Sequence, residues 1–329
     1  ARESAHRSGK LEQALSYASA LSELIGETAP DSQAHAEAVL REGLLLARLE
    51  RYSDAIHRLE RAVAVLNSLD LPAETASALA SLGIVLENAT EYDRALTRFQ
   101  SAAEVAESSA GDLLLARQES NIGRIYDLRM SQYAVAITHY GRAKAAFERA
   151  GDPAGVVQSI IDIGRCHRLL GNFAEAEARF TEAAEALPAL PDNGRLSVTV
   201  TIEQANLAWY TARYETAFKL QREAQRRAEA IGWPLGRVIT RNTAGLIWWT
   251  LGDPERALSE LDGALEIART LDARDDEVAT TLNNIGQVLR EMERYREAVE
   301  RFEAALAIDT RIGSKWAIAH DFRNLGMTR

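Results

Sequence analysis

The chain has a single cysteine, Cys166, so no disulfide can form within it and a multi-cysteine zinc site is excluded. One cysteine fits a reducing compartment, and a cytoplasmic location is the expectation. Proline is equally scarce, with seven in 329 residues. Aromatics make up 6% of a chain that is 47% hydrophobic, so Ala and Leu carry the apolar content, and both are strong helix formers. No apolar run approaches the ~20 residues of a membrane helix, and no segment has the basic start and apolar core of a signal peptide. An excess of basic charge is missing too: the net charge is −10, which argues against direct nucleic-acid binding.

Catalytic and metal patterns are absent as well. His6, His35, His57, His139, His167 and His320 include no i, i+4 pair, and there is no H-E-x-x-H. Cys166 and His167 are adjacent, so on a helix they diverge by about 100°. There is no phosphate loop, dinucleotide fingerprint or nucleophile elbow. The acidic run Asp272-Ala273-Arg274-Asp275-Asp276-Glu277 lacks the glycine and final Glu of a calcium loop and reads as a helix cap. The expectation is a chain with no catalytic residue, no metal, no cofactor and no enzymatic activity.

What the sequence does have is a repeat. Glycines, or one small substitute, follow apolar runs at Gly43, Gly83, Gly123, Gly164, Ala205, Gly245, Gly286 and Gly326, always 40 or 41 residues apart. A second series keeps the same period: Ala14, Ala55, Ala95, Ala136, Ala176, Ala217, Ala257 and Ala298. Tyr52, Tyr92, Tyr133, Phe173, Tyr214, Pro254 and Tyr295 run ahead of it, and Ala62, Ala102, Ala143, Ala183, Ala224, Ala264 and Ala305 behind it. Four registers in phase over the whole chain define one supersecondary unit, repeated. Within 72–108, apolar residues recur at three- and four-residue spacing on both sides of Asn88-Ala89-Thr90-Glu91, which predicts two amphipathic helices and a turn. The recurring Gly and Ala mark where the two helices cross closely, and Phe99 fills space between units. Asp152-Pro153 and Asp253-Pro254 each place an N-cap before a proline at the first helical position.

These residues resemble the tetratricopeptide repeat family. Leu82-Gly83, then Tyr92-Asp93-Arg94-Ala95-Leu96, then Phe99-Gln100-Ser101-Ala102 is one instance of its pattern. Ile285-Gly286, Tyr295-Arg296-Glu297-Ala298-Val299 and Phe302-Glu303-Ala304-Ala305 is another. The common repeat has 34 residues. The longer period here resembles kinesin light chains, bacterial regulators of the maltose-activator type and arrays that precede CHAT protease domains. A bacterial source is therefore expected. The resemblance implies an all-α fold, a right-handed superhelical solenoid of antiparallel helix pairs, with a concave groove lined by the first helix of each pair. The whole chain, 1–329, is expected to form one such solenoid. Its units are approximately 1–30 (partial), 31–71, 72–111, 112–151, 152–192, 193–233, 234–273, 274–313 and 314–329 (partial). The weakest is 193–233, where Ala205 replaces the glycine and Gln221 the aromatic. The partial units, with no polar cap at either end, read as cuts through a longer array.

The family geometry also implies which side chains face the groove: those two before, one after and four after each glycine. Peptide-binding candidates at these positions are Asn121, Arg124, Arg165, Arg168, Asn206, Trp209, Trp249, Asn284, Gln287, Arg290 and Asn324. Asn and Gln both donate and accept, so they can pair with an extended backbone without reading its sequence. Arg124, Arg165 and Arg168 would take carboxylates, and Trp209 and Trp249 an apolar anchor. The competing reading pairs Arg165 with Asp127 and Arg168 with Asp162 inside the chain. No Lys occurs in the set, which argues against the chaperone-tail clamp of the family. The expected function is a scaffold that holds an extended, acidic segment of a protein partner. Two alternatives stand beside it: the regulatory region of a larger CHAT-type protease, ATPase or transcription regulator, and a scaffold that self-associates through its open ends. No nucleic-acid or membrane partner is expected.

Overall fold

The amphipathic periodicity produces helices throughout a computed structural model that describes residues 2–109, 111–271, 275–312 and 315–328. Among these residues there are sixteen α-helices and no strand. They fall into two compact units, 1–128 with 138–152, and 129–137 with 153–329.

The first unit holds α1 (Arg2–Thr28), α2 (Gln33–Arg48), α3 (Tyr52–Ser68), α4 (Pro72–Asn88), α5 (Tyr92–Ser108), α6 (Asp112–Leu128) and most of α7 (Tyr133–Ala150). The second holds α8 (Pro153–Leu169), α9 (Phe173–Ala186), α10 (Gly194–Tyr210), α11 (Tyr214–Ala230), α12 (Pro234–Thr250), α13 (Pro254–Ala268), α14 (Asp275–Glu291), α15 (Tyr295–Ile312) and α16 (Lys315–Gly326). Pro188 and its neighbours make a short 3₁₀ turn, Leu187–Ala189, ahead of α10. Contacts are densest inside the pairs α2–α3, α4–α5, α10–α11, α12–α13 and α14–α15. Within each unit a first helix also touches the first helix of the next pair, as α10 does with α12 and α12 with α14.

The periodic glycines are packing devices. A Cβ built on Gly83 would lie 2.5 Å from the Phe99 ring, one on Gly164 2.6 Å from Phe180, and one on Gly286 2.6 Å from Phe302. Gly245 meets Leu261 at 2.6 Å in the same way. These rings are fully buried, and each lies on the glycine of its own pair. The expectation for Phe99 therefore needs correcting: it seals its own pair before it fills any gap between pairs. In 193–233 the Ala205 methyl occupies the space a ring would need. Gln221, only 2% exposed, takes the position and donates from Nε2 to the main-chain carbonyl of Thr240 at 3.0 Å. The pair α10–α11 forms like the others.

Helix ends follow local chemistry. The Asp253 carboxylate accepts from the Arg256 N–H, and Pro254 opens α13. The turn after each first helix uses a left-handed residue at the repeat period: Glu50, Thr90, Ser131, Gly171, Ala212, Gly252 and Glu293. The next N–H reaches back to close the turn, for example Arg51 to the Leu46 carbonyl at 3.0 Å and Glu91 to Leu86 at 2.9 Å. Only two of these seven residues are glycine. Of the acidic run 272–277, Asp272, Ala273 and Arg274 lie outside the described residues. Asp275, Asp276 and Glu277 form the first turn of α14, where negative charge suits the helix dipole. The expected unit boundaries at 273/274 and 313/314 also lie outside the described residues. No helix among the described residues is long and apolar enough to cross a membrane.

Candidate binding groove

All eleven candidates lie on first helices: α6, α8, α10, α12, α14 and α16. Asn121 and Arg124 belong to the first unit, and the other nine candidates to the second. The arginines are not waiting for ligand. Arg124 reaches back from α6 to Glu87 of α4 at 2.6 Å. Arg165 pairs with Asp162 on its own helix at 2.9 Å. Arg168, 8% exposed, sends Nε and Nη2 to one oxygen of Glu203 on α10, at 3.2 and 3.0 Å. Its guanidinium also lies 5.1 Å from the centre of the Tyr210 ring. Intrachain pairing was foreseen for Arg168, but its partner is an acid on the next first helix rather than Asp162. Arg290 differs: it makes no ion pair among the described residues, and its Nη1 is buried without a hydrogen bond.

The indoles join neighbouring first helices. Trp209 donates from Nε1 to Thr250 of α12 at 2.9 Å, and Trp249 donates to Glu291 of α14. Both rings are half-buried and back onto core residues, Trp209 beside Ile247 and Trp249 against the cluster around Leu289. Asn324 is buried and donates to Asn283 at 3.3 Å. Asn121 donates to Gln118 at 3.4 Å. In contrast, the side-chain amides of Asn206, Asn284 and Gln287 make no hydrogen bond with any described residue, although each is half-buried.

Two of these unengaged amides meet in one cleft. A depression of about 240 Å³ in the second unit is lined by Arg168, Asn206, Trp209, Tyr210, Ile239, Asn242, Thr243, Leu246, Ile247, Glu277, Thr280 and Asn284. It crosses four successive first helices, α8, α10, α12 and α14. Ile239, Leu246 and Ile247 give it an apolar part, the edge-on pair Trp209–Tyr210 with centroids 4.8 Å apart lines it, and so do the amides of Asn206 and Asn284. Thr243 stands at a counted position, two before Gly245, whereas Tyr210, Asn242 and Glu277 lie outside the counted positions. Tyr210 stands one residue beyond the counted register, and a wider count would have reached it. A larger depression of about 420 Å³ lies in the first unit, between α1, α2 and α3. Its buried carboxylate, Glu42, is already satisfied by Ser19 at 2.9 Å, Ser22 at 3.0 Å and Arg58 at 3.3 Å, so it offers little to a ligand. Among the described residues no group of His, Cys, Asp and Glu is arranged to hold a metal ion.

Comparison with known proteins agrees with this geometry. The family model described as tetratricopeptide repeat matches residues 114–189 and 236–311. These two segments are tetratricopeptide repeats. No curated protein sequence matches it. Among solved structures, aspartyl phosphate phosphatase F from Bacillus subtilis superposes with a TM-score of 0.68 at 13% identity, over 87% of this chain and 73% of that one. A Rap protein complexed with Competence and Sporulation Factor gives 0.63 at 14% identity, over 85% and 76%. A tetratricopeptide repeat protein from Parabacteroides merdae ATCC 43184 gives 0.63 at 12% identity, over 89% and 98%. At such identities the likeness is one of fold: sequentially packed helix pairs. In tetratricopeptide-repeat terms, the cleft lies on the surface formed by the first helices of consecutive repeats, the side on which the candidates were placed.

Proposed function

We propose that this tetratricopeptide-repeat chain is a protein-binding scaffold that holds an extended segment of a partner across α10, α12 and α14. The observation that carries the reading is the pair of unengaged amides, Asn206 and Asn284, that line one cleft together with Trp209, Leu246 and Ile247. Neither amide is engaged by another side chain or main-chain group among the described residues, so both are open to a peptide main chain, which offers donor and acceptor alike. Trp209 and Tyr210 supply apolar surface for one side chain of the segment. A fold neighbour solved with the Competence and Sporulation Factor supports the view that this architecture accommodates a bound partner.

The preference for acidic segments rests on Arg290, since Arg124, Arg165 and Arg168 have carboxylates of their own. The role is binding rather than catalysis, in keeping with the residues that line the cleft.

Selection from a displayed library of random peptides on the folded chain tests the proposal. The selected peptides should bind Asn206→Ala/Asn284→Ala at least about tenfold more weakly, the equivalent of one or two lost hydrogen bonds. Peptides that bind the double variant as well as the parent would sink the groove reading. An acidic preference that survives Arg290→Ala would sink the assignment of that residue alone. Charge reversal at Arg168 is a poor probe, because it would place two carboxylates against each other in a buried site.

A further inference from the structure

Asp309 of α15 and Asp321 of α16 are the most deeply buried carboxyl groups where the last three helices meet, 5% and 0% exposed. They face each other in hydrogen-bonding contact. Asn283 of α14 donates to Asp321 Oδ1 at 2.6 Å, and Asn324 of α16 donates to Asn283 at 3.3 Å. No N–H or hydroxyl reaches the buried Asp321 Oδ2. Ionised carboxylates only accept hydrogen bonds, so two of them in contact need a proton between them. A bridging cation would fit less well, because Asn283 presents its N–H side and no third ligand completes a metal set among the described residues.

We propose that Asp309 and Asp321 share one proton, and that this proton is a latch holding α16 against α14 and α15. Where the pair holds one proton, it is a single hydrogen-bonded monoanion. When the proton leaves, two negative charges face each other away from water, and separating the helices relieves them. The surrounding charges do not compensate. Asp276 on α14 adds a further negative charge and, with burial and Asp321 as the larger causes, pushes Asp309 up to about 7. Burial raises Asp321 too, against the opposing pull of Asn283, Asp309 and His320. His320 itself is held low, first by burial and then by Arg323 and Arg290, so it is neutral when the pair ionises. Arg311 on α15 is committed to Asp275 at 2.8 Å. The titration belongs to the pair rather than to either residue.

Both carboxyls hold their protons more tightly folded than unfolded. Their contribution to docking is therefore complete below about pH 4, declines as pH rises, and is lost above about 7. Because α16 carries Asn324, release would also remove a groove amide. That extension rests on the groove reading, whereas the latch does not.

Hydrogen exchange of the whole chain, corrected for intrinsic rates, reads the latch without any ligand. Protection of α16 relative to α12 should fall by about tenfold between pH 6 and pH 8, the effect of a one-unit titration. In Asp309→Asn the fall should vanish, because the new amide donates to Asp321 without a dissociable proton. An equal fall in both proteins, or none in the parent, overturns the proposal. If the variant does not fold, infrared spectroscopy of the parent decides. A carboxylic-acid carbonyl band should be present at pH 6 and gone at pH 8, and its absence at pH 6 overturns the proposal.

Discussion

Replacing Gly83 by Ala sets two physical effects against each other, and the geometry says which wins. In a helix interior, Gly→Ala ordinarily stabilises by about 1 kcal/mol, through backbone entropy and propensity. At Gly83 the new methyl carbon would stand 2.5 Å from one atom of the Phe99 ring and 2.6 Å from another. Real Cβ atoms do not approach so closely, so either the ring or α5 must move. The ring is 0% exposed and has no open side to rotate into. Overpacking of this kind costs typically about 1–3 kcal/mol. The expected net is a loss of about 1 kcal/mol, ranging from near zero to about 2.

Gly141 is the control. It lies inside α7, exposed, with nothing within 4 Å of a built Cβ, so Gly141→Ala should stabilise by about 1 kcal/mol. Adding Phe99→Leu to Gly83→Ala should recover part of the loss, since Leu already serves opposite a glycine in the Gly245–Leu261 pair. Urea unfolding followed by circular dichroism, with hydrogen exchange in α4 and α5 as the local readout, gives the signs. Repeat arrays need not unfold in one step, so the local readout is the decisive one. If Gly83→Ala stabilises as much as Gly141→Ala, close approach is not why the glycine is there.

Other predictions follow from particular residues. Thr90 is β-branched yet left-handed, with φ at 63°, so Thr90→Gly should stabilise by roughly 0.5–1 kcal/mol in thermal melts. Arg168→Leu should destabilise by about 3–5 kcal/mol by leaving Glu203 buried and unpaired, whereas Arg168→Leu/Glu203→Leu should recover most of it. A single variant no worse than the double one would refute that account.

The repeat was legible because it is written in residue size. Gly and Ala at the crossing points, and a ring one helix later, can be read without knowing any partner. The groove register was legible for the same reason: it is counted from those glycines. What could not be read was the choice of partner. Arg168 has Asp162 six residues away, but side chains six apart on a helix do not share a face, and it pairs instead with Glu203, 35 residues away on the next first helix. The left-handed turns are in phase with everything else but are occupied by Glu, Thr, Ser, Ala and Gly, so composition gives no signal of them. Gln221 looked like a lost aromatic. Its amide bond to the Thr240 carbonyl depends on an atom of the next first helix, which sequence periodicity does not mark.

The dominance of contacts within a helix pair bears on how the chain acquires its structure. Each glycine and its ring are separated by only sixteen or seventeen residues, as in Gly83 with Phe99 and Gly123 with Tyr140. The seal of every hairpin can therefore close without waiting for distant parts of the chain, and loop-closure entropy at that length is modest. Low contact order favours fast formation, and nucleation is not tied to one privileged site. The same economy makes partial unfolding accessible. A pair whose seal is weakened can open while its neighbours persist, so damage spreads by adjacency along the chain rather than by collapse of a common core.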